Sequence, residues 1–567
     1  MFSKSKCFVG GQIWSQTTRR ITKWLKEVKS STIRETQLQP TCSSPVYCYG
    51  PLLHTVQTAE PKLFKDSKTF VDMRMIHSQS ETLDTFNKLM EKTEGKPSHE
   101  ELKQFVNKNF ESGNELENAT LSDWKENPKF LEKIKDPVLR QFASDLNQIW
   151  PGLARQIRPH VIENPTQYSI EPVPNKFVVP GGRFMEPYYW DSYWIISGLL
   201  ICEMPDTARG VIENFLWFVE KYGFVPNGGR VYYAERSQPP LLASMVDLYI
   251  KYTNDTKWLK DNIDTLEKEL KYWLNVHTVD VNGNTLLRYY APSAGPRPES
   301  YREDLETAKG NQALYTELKS GAESGWDFSS RWFADTDGSL NSIQVTNIVP
   351  VDLNAFYCGA VEHISNFYSI LGNDKKSAEW KNIRDEFRES IYKVLWSEED
   401  GIWFDVNITT GEKRKQFYPS NVSPLWTKCI GQNQNMVEVG DRVAKYVSQS
   451  DMFYYPGGIP TSSNRAGEQW DFPNAWPPLQ GIMVEGLANS ESQMAQQLSF
   501  NLTERWVRSN LRGFRDTNEM FEKYDCEVPG RYGGGGEYVV QSGFGWTNGV
   551  ILEMLNAHGD ELTADED

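Results

Sequence analysis

Apolar positions recur at helical spacing through most of this chain. Leu102, Phe105, Val106 and Phe110 follow one another at three- and four-residue steps, as do Leu139, Phe142, Leu146 and Ile149. Beyond Tyr193 the pattern reads as helix after helix. Over 207–222, Val211, Phe215, Phe218, Val219 and Tyr222 share one face, and Gly223 supplies the stop. Similar patterns predict helices over 241–252, 258–276, 353–371, 378–395, 436–447, 478–488, 491–510 and 549–557. Strand-like runs are short: 68–71, 230–234 and 401–406. Strands and helices do not alternate as a parallel α/β fold requires, and there is no glycine fingerprint for a dinucleotide. The connections over 226–240, 290–301, 321–332, 454–478 and 521–546 are long and rich in Gly, Pro and aromatic residues. Loops of that length in a compact protein usually carry function. Helix pairs with the unusual chemistry gathered in their loops predict a ring of helices around a central pocket.

No exact repeat or low-complexity linker interrupts 42–555, so one large domain is expected over 42–557, with 61–150 a helical lead-in packed on it. Residues 1–41 hold several basic residues before the first acid, Glu27, and no contiguous apolar core of a secretory signal. They read as a disordered or cleaved leader, and 558–567 as an acidic tail.

Charge and composition narrow the partners. A formal charge of −16 argues against nucleic acid and anionic membranes. No run approaches the roughly 18–20 apolar residues of a membrane span. Aromatic residues make up 13% of the chain, with 19 Trp, which fills a large core or lines a sugar site. Cys42 and Cys48 flank Pro45 and can close a small disulfide loop in an exported protein, and five N-x-[ST] sequons (Asn118, Asn254, Asn407, Asn421, Asn501) lean the same way.

The densest chemistry lies in VPGGRFMEPYYWDSY (179–193), with Arg183, Glu186, Asp191 and five aromatic rings. Aromatic faces stack on sugar rings, while carboxylates and guanidinium groups take paired hydrogen bonds from hydroxyls. Five further carboxylates sit in aromatic loops: Asp327, Glu522, Glu537, Glu299 and Asp471. A carboxyl group pressed against rings loses hydration and stays protonated near neutral pH, as a general acid must. A second, ionised carboxylate can activate water, and such a pair is the minimal machinery of glycoside hydrolysis. Spacing does not separate Asp327 from Glu537 or Glu299. Arg183, Arg236 and Arg297 accompany the acids. Gly533–Gly536 has no following Gly-Lys-[Ser/Thr], so it is not a phosphate loop but a flexible or close-approach loop carrying Glu537. No zincin or serine-hydrolase motif is present.

PGGRFMEPYYWDSY (180–193) and QWDFPNAWPP (469–478) resemble the two signature motifs of trehalases. NGGRVYYAERSQPP (227–240), GPRPES (295–300), ESGWDFSSRW (323–332), EKYD (522–525), GGGGEY (533–538) and GFGWTNG (543–549) are similar to that family too, as is 42–57 in the manner of the soluble animal, particularly insect, enzymes. The resemblance implies an all-α (α/α)6 toroid whose long loops form the active site. It implies hydrolysis of α,α-trehalose by water to two glucoses with inversion, without metal or cofactor. By the same resemblance Asp327 is the general acid and Glu522 the general base. Arg183, Trp190, Asp191, Asn227, Arg236, Ser237, Gln238, Arg297, Glu299, Gly325 and Glu537 line the pocket, and Trp470 and Asp471 belong to the second signature. The absence of a C-terminal apolar tail resembles the unanchored members. Family and sequons together imply a secreted protein, with the cytoplasm as the alternative because no clear signal peptide is seen. A related helical-toroid glucosidase or phosphorylase acting on another disaccharide and an inactive sugar-binding protein are the rival readings.

Overall fold

In the computed structural model, residues 42–335 and 338–565 are described. The leader expected over 1–41 lies outside the described residues, as do the last two positions of the acidic tail. Twelve helices alternate between two concentric layers. The outer set is α1 (Pro137–Leu153), α3 (Pro205–Tyr222), α5 (Thr256–Val276), α7 (Asp374–Ser390), α9 (Met436–Ser448) and α11 (Gln493–Thr517). The inner set is α2 (Asp191–Ile201), α4 (Leu242–Thr253), α6 (Val351–Ile370), the single turn α8 (Ser423–Trp426), α10 (Pro477–Asn489) and α12 (Gly545–His558). Each inner helix packs on the next and α12 packs back on α2, which closes the ring. The architecture is an (α/α)6 toroid.

The two layers differ in sequence for a physical reason. Outer helices are amphipathic: α5 buries Leu259, Ile263, Leu266, Leu270 and Trp273 in a stripe and turns its Lys and Asp residues outward. Inner helices are covered on all sides for most of their length. In α2, DSYWIISGLLI, every residue but Ile201 is buried. Side-chain caps fix several starts, among them Asp136 before α1, Asp255 before α5 and Ser492 before α11. Gly223, at φ +84°, ends α3. Where α2 crosses α12 there is no room for a side chain: a Cβ on Gly549 would lie 2.0 Å from the Trp194 carbonyl oxygen.

A second hydrophobic cluster lies outside the ring. Leu52, Leu53, Phe70, Val71, Phe86, Phe105 and Phe110 of the lead-in pack with Tyr188, Tyr232, Tyr233 and Tyr301 from the toroid loops. Beneath it, Lys68 Nζ meets Glu186 at 2.6 Å, and Arg230 bonds both Glu186 and Glu115, all buried. The strands are short antiparallel pieces, the largest sheet joining Leu116–Asn118, Ala154–Ile157 and Phe177–Val178.

Several expectations need correction. The run over 68–71 is helical (Ser67–Val71), because Asp66 caps it through the Lys68 amide. The run over 230–234 forms a 3-10 turn, Val231–Tyr233. The helix expected over 378–395 ends at Ser390 and passes into a wider π-turn, Ile391–Leu395. The helix expected over 491–510 runs on to Thr517. Disulfides join Cys42 to Cys48 and Cys358 to Cys429, while Cys202 and Cys526 are free and buried. Among the described residues no helix is long and apolar enough to cross a membrane.

Candidate active site

Three inner helices begin at one hollow. Asp191 opens α2, Trp476 caps the start of α10, and Trp546 lies in the first turn of α12. The hollow leaves about 80 Å³ of space open to the centres of water-sized molecules. Trp190, Trp470, Trp476 and Trp546 form its aromatic base. Trp470 and Trp476 stack at 3.8 Å with 3° between their planes, and Trp190 meets Trp546 edge-on at 5.9 Å. Gly325, at φ +77°, lets the chain pass over Trp190, where a Cβ would fall 2.8 Å from the ring.

The polar wall is largely committed to internal pairs. Arg236 donates through Nε to Asn227 Oδ1 (2.7 Å) and through Nη2 to Glu299 Oε1 (2.6 Å). Its Nη1 and the Oε2 of Glu299 are buried with no protein hydrogen-bond partner, which leaves a donor and an acceptor for ligand hydroxyls. Burial pushes the Glu299 carboxyl up, but the Arg236 and Arg297 guanidinium groups outweigh it and hold it below its ordinary value. Gln238 accepts from the Trp190 amide at 3.2 Å. Arg297 is shared between Asp304 and Glu537, and Ser300 donates to the other Glu537 oxygen at 2.8 Å. Arg183 borders the hollow while forking onto Asp66 of the lead-in at 2.8 and 2.7 Å.

Asp327 and Glu522 open into the same hollow from different loops. Burial pushes the Asp327 carboxyl up to about 7, even though Arg297 pulls the other way. Glu522 accepts from Lys523 Nζ at 3.0 Å on one oxygen and from the Tyr538 hydroxyl at 2.8 Å on the other. Burial lifts Asp191 to about 8, with the charges of Glu522 and Asp327 adding to the effect. One carboxyl group suited to hold a proton therefore faces one whose oxygens are both hydrogen-bonded to donors.

All the residues expected for catalysis or the pocket wall line this hollow except Ser237. Ser237 is fully buried behind the wall, its hydroxyl donating to the Val225 carbonyl and its amide to Glu323. Asp471 also stands back. It accepts from Ser329, Ser330 and Ser462 hydroxyls and the Ser330 amide, and so braces the loop that carries Asp327. The Gly533–Gly536 run makes close approaches at its ends, where a Cβ on Gly536 would lie 2.8 Å from Gln469 and one on Gly533 2.4 Å from Asn474, while Gly534 between them is exposed with open space around it. Sequence reasoning missed Tyr538, Lys523, Phe184 and Tyr233. The adjacency of Lys523 to Glu522 and of Tyr538 to Glu537 was the available signal.

Comparison with known proteins adds an independent line. A family profile described as Trehalase matches residues 62–559. The chain is 49% identical to a trehalase of Tenebrio molitor over 92% of this chain and 96% of the relative. It is 47% identical to a human trehalase over 93% and 91% of the two chains. Among solved structures, it is similar to the neutral trehalase Nth1 of Saccharomyces cerevisiae, with TM-score 0.55 and 26% identity over 67% of this chain and 73% of that one.

Proposed function

The chain belongs to the trehalase family and hydrolyses α,α-trehalose to two glucose molecules, and we propose that it does so with inversion, using Asp327 as general acid and Glu522 as general base. The observation that carries this reading is the contrast between two carboxyl groups facing one hollow. Asp327 is desolvated enough to keep its proton near neutral pH. It donates that proton to the oxygen bridging the two anomeric carbons. Glu522, fixed by Lys523 and Tyr538, takes a proton from a water on the opposite face of one ring. The hydroxide so formed bonds to the anomeric carbon as the bridging C–O bond breaks, giving one β- and one α-glucose. Trp190, Asn227, Arg236, Gln238, Arg297, Glu299, Gly325 and Glu537 hold the two glucosyl units. Ser237 acts from behind, by fixing the turn that presents Arg236 and Gln238.

Asp191 is the rival proton holder, and a substrate that needs no acid separates the two. Glucosyl fluoride loses fluoride without protonation. Asp327→Asn should lose about 10²–10⁴-fold of its trehalose hydrolysis yet retain most of its hydrolysis of α-glucosyl fluoride. Glu522→Gln should lose both. An Asp191→Asn enzyme spared on the fluoride alone would transfer the acid role to Asp191. Early proton NMR showing only α-glucose would refute inversion.

We also propose an oxidising, secreted setting. The pairing of Cys42 with Cys48 and of Cys358 with Cys429 supports it. Free-thiol titration of the natural protein tests it, and four reactive thiols at these positions would exclude it.

A further inference from the structure

The loops that carry Asp327 and Glu522 come from distant parts of the chain, yet one buried side chain touches both. Gln469, of the second signature, donates through Nε2 to the Asp327 backbone carbonyl. Its Oε1 accepts from Lys523 Nζ at 3.0 Å, and the same ammonium donates to Glu522 Oε2 at 3.0 Å. We infer that Gln469 and Lys523 form a positioning strap that sets the acid-bearing loop against the base-bearing loop. This rests on the acid and base assignment proposed above and extends it to residues that do not touch substrate.

The chemistry of the partners leaves the strap one orientation. A lysine ammonium only donates and a backbone carbonyl only accepts. The carboxamide oxygen must therefore face Lys523 and its nitrogen must face Asp327. Glutamine supplies both functions on one planar group. Glutamate lacks the donor, and leucine or methionine lacks both.

The surroundings hold the strap still. Gln469 is 1% exposed and Lys523 0%. The Gln469 carbonyl accepts from Trp476 Nε1 at 2.8 Å and from Asn474 Nδ2 at 2.9 Å. The Lys523 ammonium lies 4.7 Å from the centre of the Trp476 ring and 5.2 Å from that of Tyr538. The glycine run closes over both residues. Gly536 leaves no space for a Cβ against Gln469, and a Cβ on Gly533 would sit 3.1 Å from Lys523 Cγ. Asn474 ties that run down by bonding the Gly534 amide and carbonyl. The close approaches at Gly533 and Gly536 thus fall on the two residues of the strap.

The buried ammonium also has an electrostatic role. Glu522 faces Lys523 and Tyr538, with Asp191 and Asp327 across the hollow, and Arg183 lies over the Tyr538 ring. Lys523 is the cation that contacts it directly. Asp327 has Arg297, Arg236 and Glu537 around it, so the charge of Lys523 acts chiefly on the base.

Steady-state kinetics on trehalose across pH test the strap, with Gln469→Met, Gln469→Glu and Lys523→Met compared with Asp327→Asn and Glu522→Gln. Gln469→Met should lower kcat about 10–100-fold, as a displacement near 1 Å does, with KM changed less than about threefold. Lys523→Met should lower kcat and move the acidic limb of kcat/KM upward by about one pH unit or more, because an unpaired buried carboxylate favours its neutral form. The Gln469→Met and Lys523→Met losses should combine non-additively. Gln469→Glu, nearly isosteric, guards against misfolding. It should melt within a few degrees of the parent and still lose kcat. A Gln469→Glu or Gln469→Met enzyme with parental kcat and pH profile overturns the strap. If Asp327→Asn and Glu522→Gln are inactive in the same series, that outcome leaves the acid and base assignment standing. An active Asp327→Asn would instead bring down the assignment itself.

Discussion

At the residue scale, the site is an exercise in sorting carboxyl groups by environment. Asp471 is consumed by three serines, Glu537 by Arg297 and Ser300, and one oxygen of Glu299 by Arg236. Asp327 is left with burial as the main influence on its proton. Its active form is the protonated one and its carboxyl sits at about 7. The kcat/KM for trehalose should therefore fall as pH rises through that value. Replacing trehalose with α-glucosyl fluoride should remove this basic limb, since no proton is then donated. Legibility at this scale was uneven. The aromatic neighbours of Asp327 and Glu522 marked both as unusual, but a hydrogen-bond partner well separated along the chain leaves no trace in spacing. For that reason Ser237, adjacent in sequence to Arg236 and Gln238, could not be told from a lining residue. Its side chain instead donates to the Val225 carbonyl.

At the scale of elements, the outer helices and four inner ones (α4, α6, α10 and α12) were readable, while α2 and the single turn α8 were not. α3, α5 and α9 each bury one stripe, so their period shows. α2 is buried on all sides and has no polar face to reveal a period, so it went unrecognised as a helix within the signature stretch. Its fit against α12 depends on Gly549. Gly549→Ala should force α2 and α12 apart and destabilise the fold by about 1–3 kcal/mol, measured by denaturant titration, with more lost for valine. The lead-in docks through charge as well as packing. Lys68 and Arg230 outweigh burial and hold Glu186 down at about 2. An unfolded glutamate titrates near 4.3, so this group stabilises the fold above that pH. The contribution should be lost as pH falls from about 4.3 toward 2. Lys68→Met, which leaves one buried partner short, should cost about 3–5 kcal/mol, and the acid-induced transition should begin at higher pH.

At the scale of the whole molecule, the ring brings loops from five helix pairs to one hollow, where α2, α10 and α12 start. The closure couples parts far apart in sequence. Cys358 of α6 is bonded to Cys429, just past α8, over a separation of 71 residues. Replacing both by alanine should lower stability by about 2–4 kcal/mol, read as a lower melting temperature, with kcat unchanged because neither residue lines the hollow.

The amino-acid sequence by itself determined the helical class, the paired pattern of the outer layer and the inventory of acids, arginines and rings, because helical period and local composition are properties of neighbouring residues. The long signature motifs carried the family as well. Only the tertiary structure decided which acids are spent on serines and arginines and which face the hollow, because those partners meet through ring closure. It alone joined Asp327 to Glu522 through Gln469 and Lys523, since that contact exists only once the loops from distant helix pairs have converged.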